Sequence, residues 1–588
     1  MVQEKKKIVE FRKVTFTYPQ TTKPTLKNIN ITIEEGTVVG LIGPTGSGKS
    51  TLIRALVGIV PRITGGLLEG DIIVNGLNVK DHEIYEIAQH VNIVLDDPNV
   101  QLLGLTVFDD ISMGPCNLGL SREEIFERVS FSLEVTGLKG FERRNPNDLS
   151  GGEQQLVAIA SVLAMKPKII ALDEPFAMID PIGKKMVASA LRSLIEKYSP
   201  TIIISESGSD IELLMEIAQR VIVINDGEII FDGNPRDLVL TDILPRLGIR
   251  RPQVTELYIK LREDFPSDAP PLTLDEAVTY FQKVVSHRIS FQQDKTSKLS
   301  EPESENNKVV SSKSQPIIKV RNLHHVYYPD IQALKGVSLD IYPETIVGII
   351  GQNGSGKTTL AKHLVGILKP SNNDAQIIVD GKDVLRTSFY DLIKSINYVF
   401  QNPDIQLFCN TVEEEISFGL KNMGIKKEEI ERRISVLLKL LKLDDYRQHH
   451  PASLPKHLRK RIVFASILAM DPKIIILDEP TTGLDTHEIE RLMGVVMNLR
   501  KNGKTIIIIS HDMETIAKYT DYVYVMHEGR VISHGTPRQV FSEVEILEKT
   551  DIMPPQITRL FQSISLRANI LTVEEAYNFL LSSLHFKY

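Results

Sequence analysis

The chain has 588 residues, of which 42% are hydrophobic and 24% are charged, and its formal net charge is −7. This length exceeds what one hydrophobic core normally serves, and it predicts two or more domains of ordinary globular composition. The acidic balance gives no general attraction to nucleic acid, and Cys116 and Cys409 lack the spacing of a metal cluster or a disulfide framework. No apolar stretch reaches the roughly 20 residues that cross a bilayer, so we expect a cytoplasmic chain whose membrane role depends on partners.

The first functional element that the sequence predicts is a loop between a strand and a helix. TVVGLI at 37–42 is strand-like, GPTGSGKS at 43–50 fits the pattern GxxxxGK[ST], and a helical pattern follows. In such a loop glycine lets backbone N–H groups close around phosphates, the lysine reaches the outer phosphates and the last hydroxyl holds Mg²⁺. The predicted nucleotide-binding residues here are Gly43, Gly46, Ser47, Gly48, Lys49, Ser50 and Thr51.

The second half of the chain repeats the first. IIGQNGSGKTTL at 349–360 matches LIGPTGSGKSTL at 41–52, and the later stretches GIRRPQVTELYIKL and DIMPPQITRLFQSI also match. A repeat of this length indicates duplicated domains rather than a solenoid. One such loop can arise by accident, whereas two in the same context favour a real phosphate site. The nucleotide-binding residues predicted in the second copy are Gly351, Asn353, Gly354, Ser355, Gly356, Lys357, Thr358 and Thr359.

Each copy also contains a buried strand pattern that ends in two acids, KIIALDE and KIIILDE. Asp173 and Asp478 are predicted to lie near Mg²⁺, and Glu174 and Glu479 are placed to polarise an attacking water. Acids after a strand are common, so this signal is specific only because each pair follows a phosphate loop.

The repeat and its connecting segment predict the domain organisation. The segment FQQDKTSKLSEPESENNKVVSSKSQP is polar and poor in apolar residues, which is typical of a flexible linker. A random coil of about 26 residues averages roughly 28 Å between its ends and extends to roughly 85 Å, so it tethers two domains without fixing how they dock. We predict a first domain at 1–240, its extension at 241–290, a linker at 291–316, a second domain at 317–540 and its extension at 541–588.

LSGGEQQ at 149–155 opens a helical pattern between the phosphate loop and the acids of the first half. With the two loops and the LDEP stretches, it makes the chain resemble ATP-binding cassette (ABC) ATPases over nearly all of its length. The resemblance implies an α/β fold with two tandem P-loop NTPase domains, each with a helical subdomain and a small C-terminal extension. It also implies ATP and Mg²⁺ as cofactors and ATP hydrolysis as the reaction.

In that family two domains pair head to tail, and each ATP lies between the phosphate loop of one and the LSGGE signature of the other. Ser150, Gly151 and Gly152 would present hydroxyl and N–H groups at a helix N-terminus, where the dipole favours a γ-phosphate. Tyr18 and Tyr328, each in a YP pair, match the aromatic residue that stacks on adenine. The alternative for both is a strand-edge aromatic packed in the core.

Two further family positions distinguish the halves. In the second half, Gln401 matches the loop glutamine that touches Mg²⁺ and senses the membrane partner, and His511 matches the switch histidine that contacts the γ-phosphate. The first half has Asp96 and Glu206 at these positions. We expect a carboxylate that faces the γ-phosphate to repel it, because both groups are negatively charged. A carboxylate also cannot replace a histidine as hydrogen-bond donor.

The second half departs from the pattern at its own signature, which reads PKH at 455–457 in place of SGG. Pro455 removes a backbone donor, and side chains replace the glycines that allow close approach. With head-to-tail pairing, Asp96, Glu206 and the PKH stretch all fall in one ATP site. This site, which includes Glu174, is predicted mainly to hold ATP. The complete site is predicted to hydrolyse ATP with the catalytic residues Gln401, Glu479 and His511. The predicted Mg²⁺ ligands are Ser50, Asp173, Thr358, Gln401 and Asp478.

The loops at 96–120 and 401–425, and both C-terminal extensions, resemble ATPases of energy-coupling-factor (ECF) importers. This resemblance implies uptake of a vitamin or a transition-metal ion at the cytoplasmic face of the membrane. The implied partners are a transmembrane coupling subunit and a membrane substrate-binding subunit, with no nucleic acid. The transported molecule is not specified, and the halves could pair within one chain or between chains, although tethering favours the first.

Short acidic clusters follow the two loops, at Asp109–Asp110 and Glu413–Glu415. They could pair with basic ends of coupling helices in a membrane subunit, or they could be solvated acids in the first turn of a helix. The alternative function is a soluble twin-cassette ATPase that acts on ribosomes or nucleic acid. The absence of a cysteine-rich domain, and of a basic stripe with interleaved aromatics, argues against that alternative.

Overall fold

The chain divides into two compact units in the computed structural model, one with residues 1–287 and 485–488 and the other with residues 288–484 and 489–588. The domain boundaries given above stay predictions, and residues 291–314 of the predicted linker lie outside the described part. The structure describes residues 6–177, 179–208, 210–263, 269–289, 315–328, 330–564 and 569–583.

The first half alternates strands and helices after an initial antiparallel hairpin. Its strands are β1 Lys7–Thr17, β2 Leu26–Glu34, β3 Val38–Ile42, β4 Leu67–Val74, β5 Leu77–Asn78, β6 Val91–Val94, β7 Ile169–Leu172, β8 Thr201–Glu206, β9 Arg220–Asn225 and β10 Glu228–Gly233. Its helices are α1 Lys49–Leu56, α2 Ile59–Arg62, α3 Ile84–Ile87, α4 Val107–Asn117, α5 Arg122–Thr136, α6 Gly151–Ala164, α7 Pro181–Tyr198, α8 Ile211–Ile217, α9 Pro235–Leu240, α10 Ile243–Arg246, α11 Gln253–Leu261 and α12 Leu274–Ile289, with 3-10 turns at Pro98–Val100 and Pro146–Asp148.

Two sheets organise this half. One is antiparallel with the order β2-β1-β4-β5, and the other has the order β10-β9-β3-β8-β7-β6. In the larger sheet β3 pairs in parallel with β8 and β9, and only β10 runs antiparallel. Strands β3 and β7 are buried along their whole length, as expected for parallel strands with both faces covered. The carboxyl ends of β3, β7 and β8 therefore lie side by side, and the predicted site residues follow them.

The second half repeats these elements. Its strands are β11 Ile318–Tyr327, β12 Ile331–Ile341, β13 Ile346–Gly351, β14 Gln376–Val379, β15 Lys382–Asp383, β16 Ile396–Val399, β17 Ile474–Asp478, β18 Thr505–Ile509, β19 Tyr522–His527 and β20 Arg530–Gly535. Its helices are α13 Lys357–Leu364, α14 Phe389–Leu392, α15 Val412–Asn422, α16 Lys427–Leu441, α17 Lys456–Ala469, α18 Thr486–Lys501, α19 Met513–Tyr519, α20 Pro537–Ser542, α21 Val544–Lys549, α22 Gln556–Ser563 and α23 Val573–Ser583, with 3-10 turns at Pro403–Ile405, Asp444–Tyr446 and Pro451–Ser453.

The sheet orders of the two halves coincide. The second half has β12-β11-β14-β15 and β16-β17-β18-β13-β19-β20, and the latter is the order of the first large sheet read from its other edge. Both halves are thus α/β units of the same topology, as the repeat predicts. Each also has a helical layer, in which α4 and α5 pack on α6, and α15 and α16 pack on α17.

Each half fastens its C-terminal helices with the same ion pair. Arg236 donates to Glu276 at 2.6 Å and to the carbonyl of Pro270. In the second half Arg538 donates to Glu575 at 2.7 Å and to the carbonyl of Asn569. Across the described ranges, the structure contains no helix that is both long enough and apolar enough to cross a membrane.

Candidate functional site

The first phosphate loop connects β3 to α1. A side chain at Gly43 would place its Cβ 2.1 Å from the carbonyl oxygen of Ile224, so only glycine fits there. Gly48, directly before α1, has a φ of +110°, in the left-handed region that favours glycine. The Lys49 ammonium donates to the carbonyl of Gly43 at 2.7 Å and is buried. The chain thus holds the lysine inside the loop that the sequence assigns to phosphates.

The predicted metal ligands of the first half meet beside this loop. Ser50 donates to the Asp173 carboxylate at 3.0 Å, and Ser205 donates to the same oxygen at 2.6 Å. The other Asp173 oxygen is buried and has no hydrogen-bond partner among the described residues. Hydroxyl and carboxylate oxygens are the ligands that Mg²⁺ prefers, so Ser50 and Asp173 fit this cation. Glu174 lies 3.7 Å from the Lys49 ammonium, and burial raises the pKa of its carboxyl.

The second phosphate loop has the same construction. A Cβ at Gly351 would lie 2.2 Å from the carbonyl oxygen of Met526, and the Lys357 ammonium donates to the carbonyls of Gly351 and Gln352 at 2.7 Å each. Ser355 is buried within the loop. Both loops therefore enclose a lysine in the way that the pattern predicts. The loop positions Gly46, Ser47, Gly354, Gly356 and Thr359 also lie where the pattern puts them.

The second metal site differs from the first in how its aspartate is held. Thr358 donates to Asp478 at 3.0 Å, as Ser50 does to Asp173. The additional donor is the phenol of Tyr398, which lies on β16, whereas in the first half it is a serine on β8. Burial raises the pKa of the Asp478 carboxyl. Thr358 and Asp478 again form an oxygen set that suits Mg²⁺.

Glu479 and His511 come together in the second half. The imidazole Nε2 of His511 lies 3.2 Å from the Glu479 carboxylate and 3.0 Å from the side-chain oxygen of Asn353 in the phosphate loop. Burial raises the pKa of Glu479 to about 7, while Lys357 opposes this shift. A carboxylate and an imidazole are thus adjacent at the mouth of the loop.

Glu206 does not behave as the sequence predicts. Its side chain is only 1% exposed, and it accepts hydrogen bonds from the backbone N–H groups of Gly208 at 3.1 Å and Asp210 at 3.3 Å. Burial, helped by Asp210, raises the pKa of this carboxyl to about 8. The raised pKa favours the neutral form of this carboxyl, which is held by its own loop, and both features weaken the predicted repulsion of a γ-phosphate.

The positions of Gln401 and Asp96 are equivalent, at the ends of β16 and β6, and both side chains are exposed. Sequence reasoning missed the residues that shape these loops. Gln406 bridges the N–H of Phe400 at 2.9 Å and the carbonyl of Tyr398 at 3.0 Å. Gln101 does the same in the first half. The sequence signal was the shared NVQLL and DIQLF spacing after each loop.

The signature stretch of the first half opens α6. Ser150 caps the helix in a reciprocal capping box with Glu153, whose carboxylate accepts from the Ser150 N–H at 2.8 Å. Gly151 begins the helix, and a Cβ at Gly152 would lie 2.4 Å from the Cα of Gly183 on α7. Glycine at 152 is thus also required by helix packing. In the second half the cap residue is Pro455, which makes no side-chain cap.

The structure changes one of the two adenine-stacking assignments. Tyr18 donates or accepts a hydrogen bond with Thr51 at 3.1 Å, and the residue that does the same with Thr359, at 3.3 Å, is Tyr327. Tyr328 is 96% exposed in the turn after β11. The counterpart of Tyr18 is therefore Tyr327, because the residue facing the loop is fixed by strand alternation rather than by the YP pair.

Acids of the two clusters accept hydrogen bonds from backbone groups of their own half. Asp110 accepts from the N–H groups of Leu103 and Gly104 at 2.8 and 2.9 Å, and Glu415 accepts from Phe408 and Cys409. Both acids are buried. Their burial and their backbone partners argue against pairing of these two residues with a basic helix of a partner.

Further acids of the clusters also have partners nearby. Asp109 belongs to the capping box with Thr106, and Glu413 forms two hydrogen bonds of 2.8 Å with Arg447. The acids lie in the first turns of α4 and α15, as the second interpretation predicts, but Asp110 and Glu415 are buried rather than solvated.

Comparison with known proteins agrees with this geometry. The family described as ABC transporter matches residues 26–177 and 334–482. A protein of Methanosarcina mazei, provisionally named an ABC transporter ATP-binding protein, is 37% identical over 590 residues, covering 97% of this chain and 97% of the relative. A similarly named protein of Caldanaerobacter subterraneus subsp. tengcongensis is 37% identical and covers 96% of this chain and 97% of its own length.

A solved structure matches part of the chain. The protein cbiO1 from Clostridium perfringens, part of the ABC transporter complex cbiONQ, has 38% identity and a TM-score of 0.37, over 42% of this chain and 99% of its own. Two family matches, each spanning a phosphate loop and its paired acids, account for the duplicated sites described above. The chain therefore belongs to the ABC transporter family, as an ATP-binding, ATP-hydrolysing protein with two cassettes in one polypeptide.

Proposed function

We propose that this chain is the ATP-hydrolysing motor of an ECF-type importer, which takes up a vitamin or a transition-metal ion. It would act at the cytoplasmic face of the membrane with a transmembrane coupling subunit and a membrane substrate-binding subunit. The proposal rests on the loops at 96–120 and 401–425 and on the surface that they carry.

Exposed apolar side chains at these loops support a protein partner. Leu103 and Leu105 are 74% and 79% exposed in the first half, and Phe408 and Phe418 are 65% and 44% exposed in the second. The two phenylalanine rings lie edge to face with centroids 4.8 Å apart. Leu103 and Phe408 occupy equivalent positions in the two halves, as do Met113, which is 39% exposed, and Phe418. Exposed apolar groups that recur in this way are typical of a surface that another protein covers.

We further propose that the two cassettes pair head to tail, within one chain, and that only one of the two ATP sites turns over. The linker favours intramolecular pairing, because a flexible tether gives an effective concentration on the order of millimolar. The hydrolytic site would combine the second phosphate loop with Ser150, Gly151 and Gly152 of the first half. The other site would hold ATP against the second signature.

The observation that carries this asymmetry is the contact of His511 with both Glu479 and Asn353. In the first half the equivalent switch position is Glu206, which is folded onto its own loop. Glu479 would accept a proton from the attacking water, His511 would contact the γ-phosphate, and Gln401 would complete the Mg²⁺ environment. Mg²⁺ supplies charge neutralisation for the phosphates when bound.

Paired substitutions test this assignment. Glu479→Gln should abolish ATP turnover by the full chain, whereas Glu174→Gln should leave most of it, since each replaces a carboxylate by an amide of the same shape. ATP binding by both variants, measured with a fluorescent ATP analogue, serves as the control for folding. Equal losses of turnover in the two variants would refute the asymmetric arrangement.

The membrane partner requires a separate experiment. The chain is captured from gently detergent-solubilised native cells, and the proteins that accompany it are identified. Small polytopic membrane proteins are expected, and Phe418→Ser should reduce their recovery while leaving ATPase activity in place. Val436→Ser is a matched control, because Val436 is an exposed apolar residue on α16, outside the segment 401–425. Ribosomal proteins or nucleic acid without membrane proteins would instead favour the soluble twin-cassette function.

A further inference from the structure

The signature helices of the two halves differ at their fifth residue, which is Gln155 in α6 and Lys460 in α17. Gln155 is 2% exposed, and its side-chain nitrogen makes no hydrogen bond with any residue in the described part of the chain. Lys460 instead donates to two backbone carbonyls of the turn after β17. Its ammonium lies 3.1 Å from the carbonyl of Glu479 and 2.7 Å from that of Thr482.

That turn carries the acid that we assign to hydrolysis. Glu479 has a φ of +47°, as does Glu174 in the first half, and a residue with a side chain keeps this conformation only where its surroundings hold it. In the first half the Glu174 carbonyl accepts from the N–H of Ala177 at 3.0 Å, which closes the turn through the backbone. In the second half the Glu479 carbonyl accepts from the Lys460 ammonium.

The lysine is well suited to this place. Burial and the neighbouring Lys456 lower the pKa of Lys460 to about 8, so most of the side chain keeps its charge at neutral pH. A partly buried ammonium needs hydrogen-bond acceptors, and the two carbonyls of the turn provide them. The hydroxyl of Thr482 lies 3.4 Å from the Glu479 carboxylate, so the carbonyl and the carboxylate of this acid are held by adjacent groups.

We propose that Lys460 is a positioning residue for ATP hydrolysis, which fixes the turn that aims the Glu479 carboxylate. This inference rests on the proposed function, in which Glu479 is the acid of the hydrolytic site. Lys460 lies one helical turn after the PKH stretch at 455–457. Its hydrogen bond to the Glu479 carbonyl therefore connects the altered signature of the second half to the hydrolytic acid of the same half. Among the described residues of the first half, the side-chain nitrogen of Gln155 makes no equivalent hydrogen bond to the turn after β7.

The test uses the purified full-length chain and steady-state ATP hydrolysis. Lys460→Met keeps the length of the side chain and removes its donor. It should lower kcat by between about tenfold and a hundredfold, because a small displacement of a reacting group has effects of that size. KM for ATP and the affinity for a fluorescent ATP analogue should stay within about twofold, since Lys460 donates to carbonyls of the turn after β17 rather than to the phosphate loop. Lys460→Arg, which restores a charged donor, should recover part of kcat.

Two further variants make the result decisive. Lys504→Met removes a lysine that donates to the Asp471 carbonyl at 3.1 Å, at the opposite end of β17, and should leave kcat within about twofold. If Lys460→Met does not fold, Lys460→Gln, which installs the residue of the first half, is measured in its place. A kcat close to wild type, or a loss of ATP affinity equal to the loss of kcat, would overturn the proposal. An active Glu479→Gln variant would instead overturn the proposed function on which it rests.

Discussion

Glu206→Gln should stabilise the first half of the chain, and more so as the pH rises. The folded protein raises the pKa of Glu206 from 4.5 to about 8, chiefly through burial, with Asp210 and Glu174 adding repulsion. The folded state therefore keeps a proton that the unfolded chain loses above pH 4.5. The stability linked to this group is complete below pH 4.5, falls as pH rises, and reaches its minimum above pH 8.

The size of the stability change follows from the difference between the pKa of Glu206 in the unfolded chain and its pKa in the folded protein. Each pH unit between them costs about 1.4 kcal/mol, so at pH 7 the free energy of unfolding is lower by about 3 kcal/mol than with a neutral side chain. Glutamine has no proton to lose. Its side-chain oxygen can accept the same two backbone hydrogen bonds, from Gly208 and Asp210, that the carboxyl oxygen accepts.

The assay is denaturant unfolding of the full chain at pH 5 and pH 8, with hydrogen exchange used to assign the transition that contains β8. The gain from Glu206→Gln should be small at pH 5 and should reach a few kcal/mol at pH 8. Glu134→Gln, at an exposed position of α5, is the control and should give no pH-dependent gain. A Glu206→Gln variant that is no more stable than wild type at pH 8 would refute a buried, protonated carboxyl.

Two other predictions concern the ATP sites. Tyr398→Phe removes the phenol that donates to Asp478, and it should raise the Mg²⁺ concentration for half-maximal ATPase activity by about tenfold, as loss of a group that orients a metal ligand commonly does. Glu174→Gln, which leaves Asp478 untouched, is its control, and an unchanged Mg²⁺ requirement would contradict the assignment. Tyr327→Ala should weaken binding of a fluorescent ATP analogue, whereas Tyr328→Ala should not; the reverse order would restore the assignment made from the YP pair.

The sequence predicted what depends on local pattern. The phosphate loops were found because glycine, lysine and hydroxyl residues recur at fixed spacing between a strand and a helix, and Gly43 and Gly351 indeed have no room for a side chain. The duplication was found for the same reason, and the two large sheets have the same strand order. Local chemistry and chain order were sufficient for these features.

What the sequence did not predict depends on contacts between distant segments. The raised pKa of Glu206 could not be read from IISES, because it comes from burial of the side chain in the folded protein and from repulsion by Asp210 and by the distant Glu174. Tyr327 was missed because the YP pair was used as the guide. The period of two along β11, in which His325 and Tyr327 repeat the alternation of Phe16 and Tyr18, was the signal that could have found it.

The two cassettes have the same phosphate loops but differ in the residues that hold the acids beside these loops. Asp173 is held by Ser205 on the adjacent strand β8, whereas Asp478 is held by Tyr398 on β16, the strand that leads into the Gln401 loop. Glu479 is held by Lys460, on the helix that follows the altered signature. Tyr398 and Lys460, which hold the two acids of the hydrolytic site, therefore lie next to the Gln401 loop and the altered signature. On the proposed function, the first of these segments faces a membrane subunit and the second faces the other ATP. A displacement of either segment moves an acid of the site directly, and in the first half the corresponding supports lie within its own strands and turn.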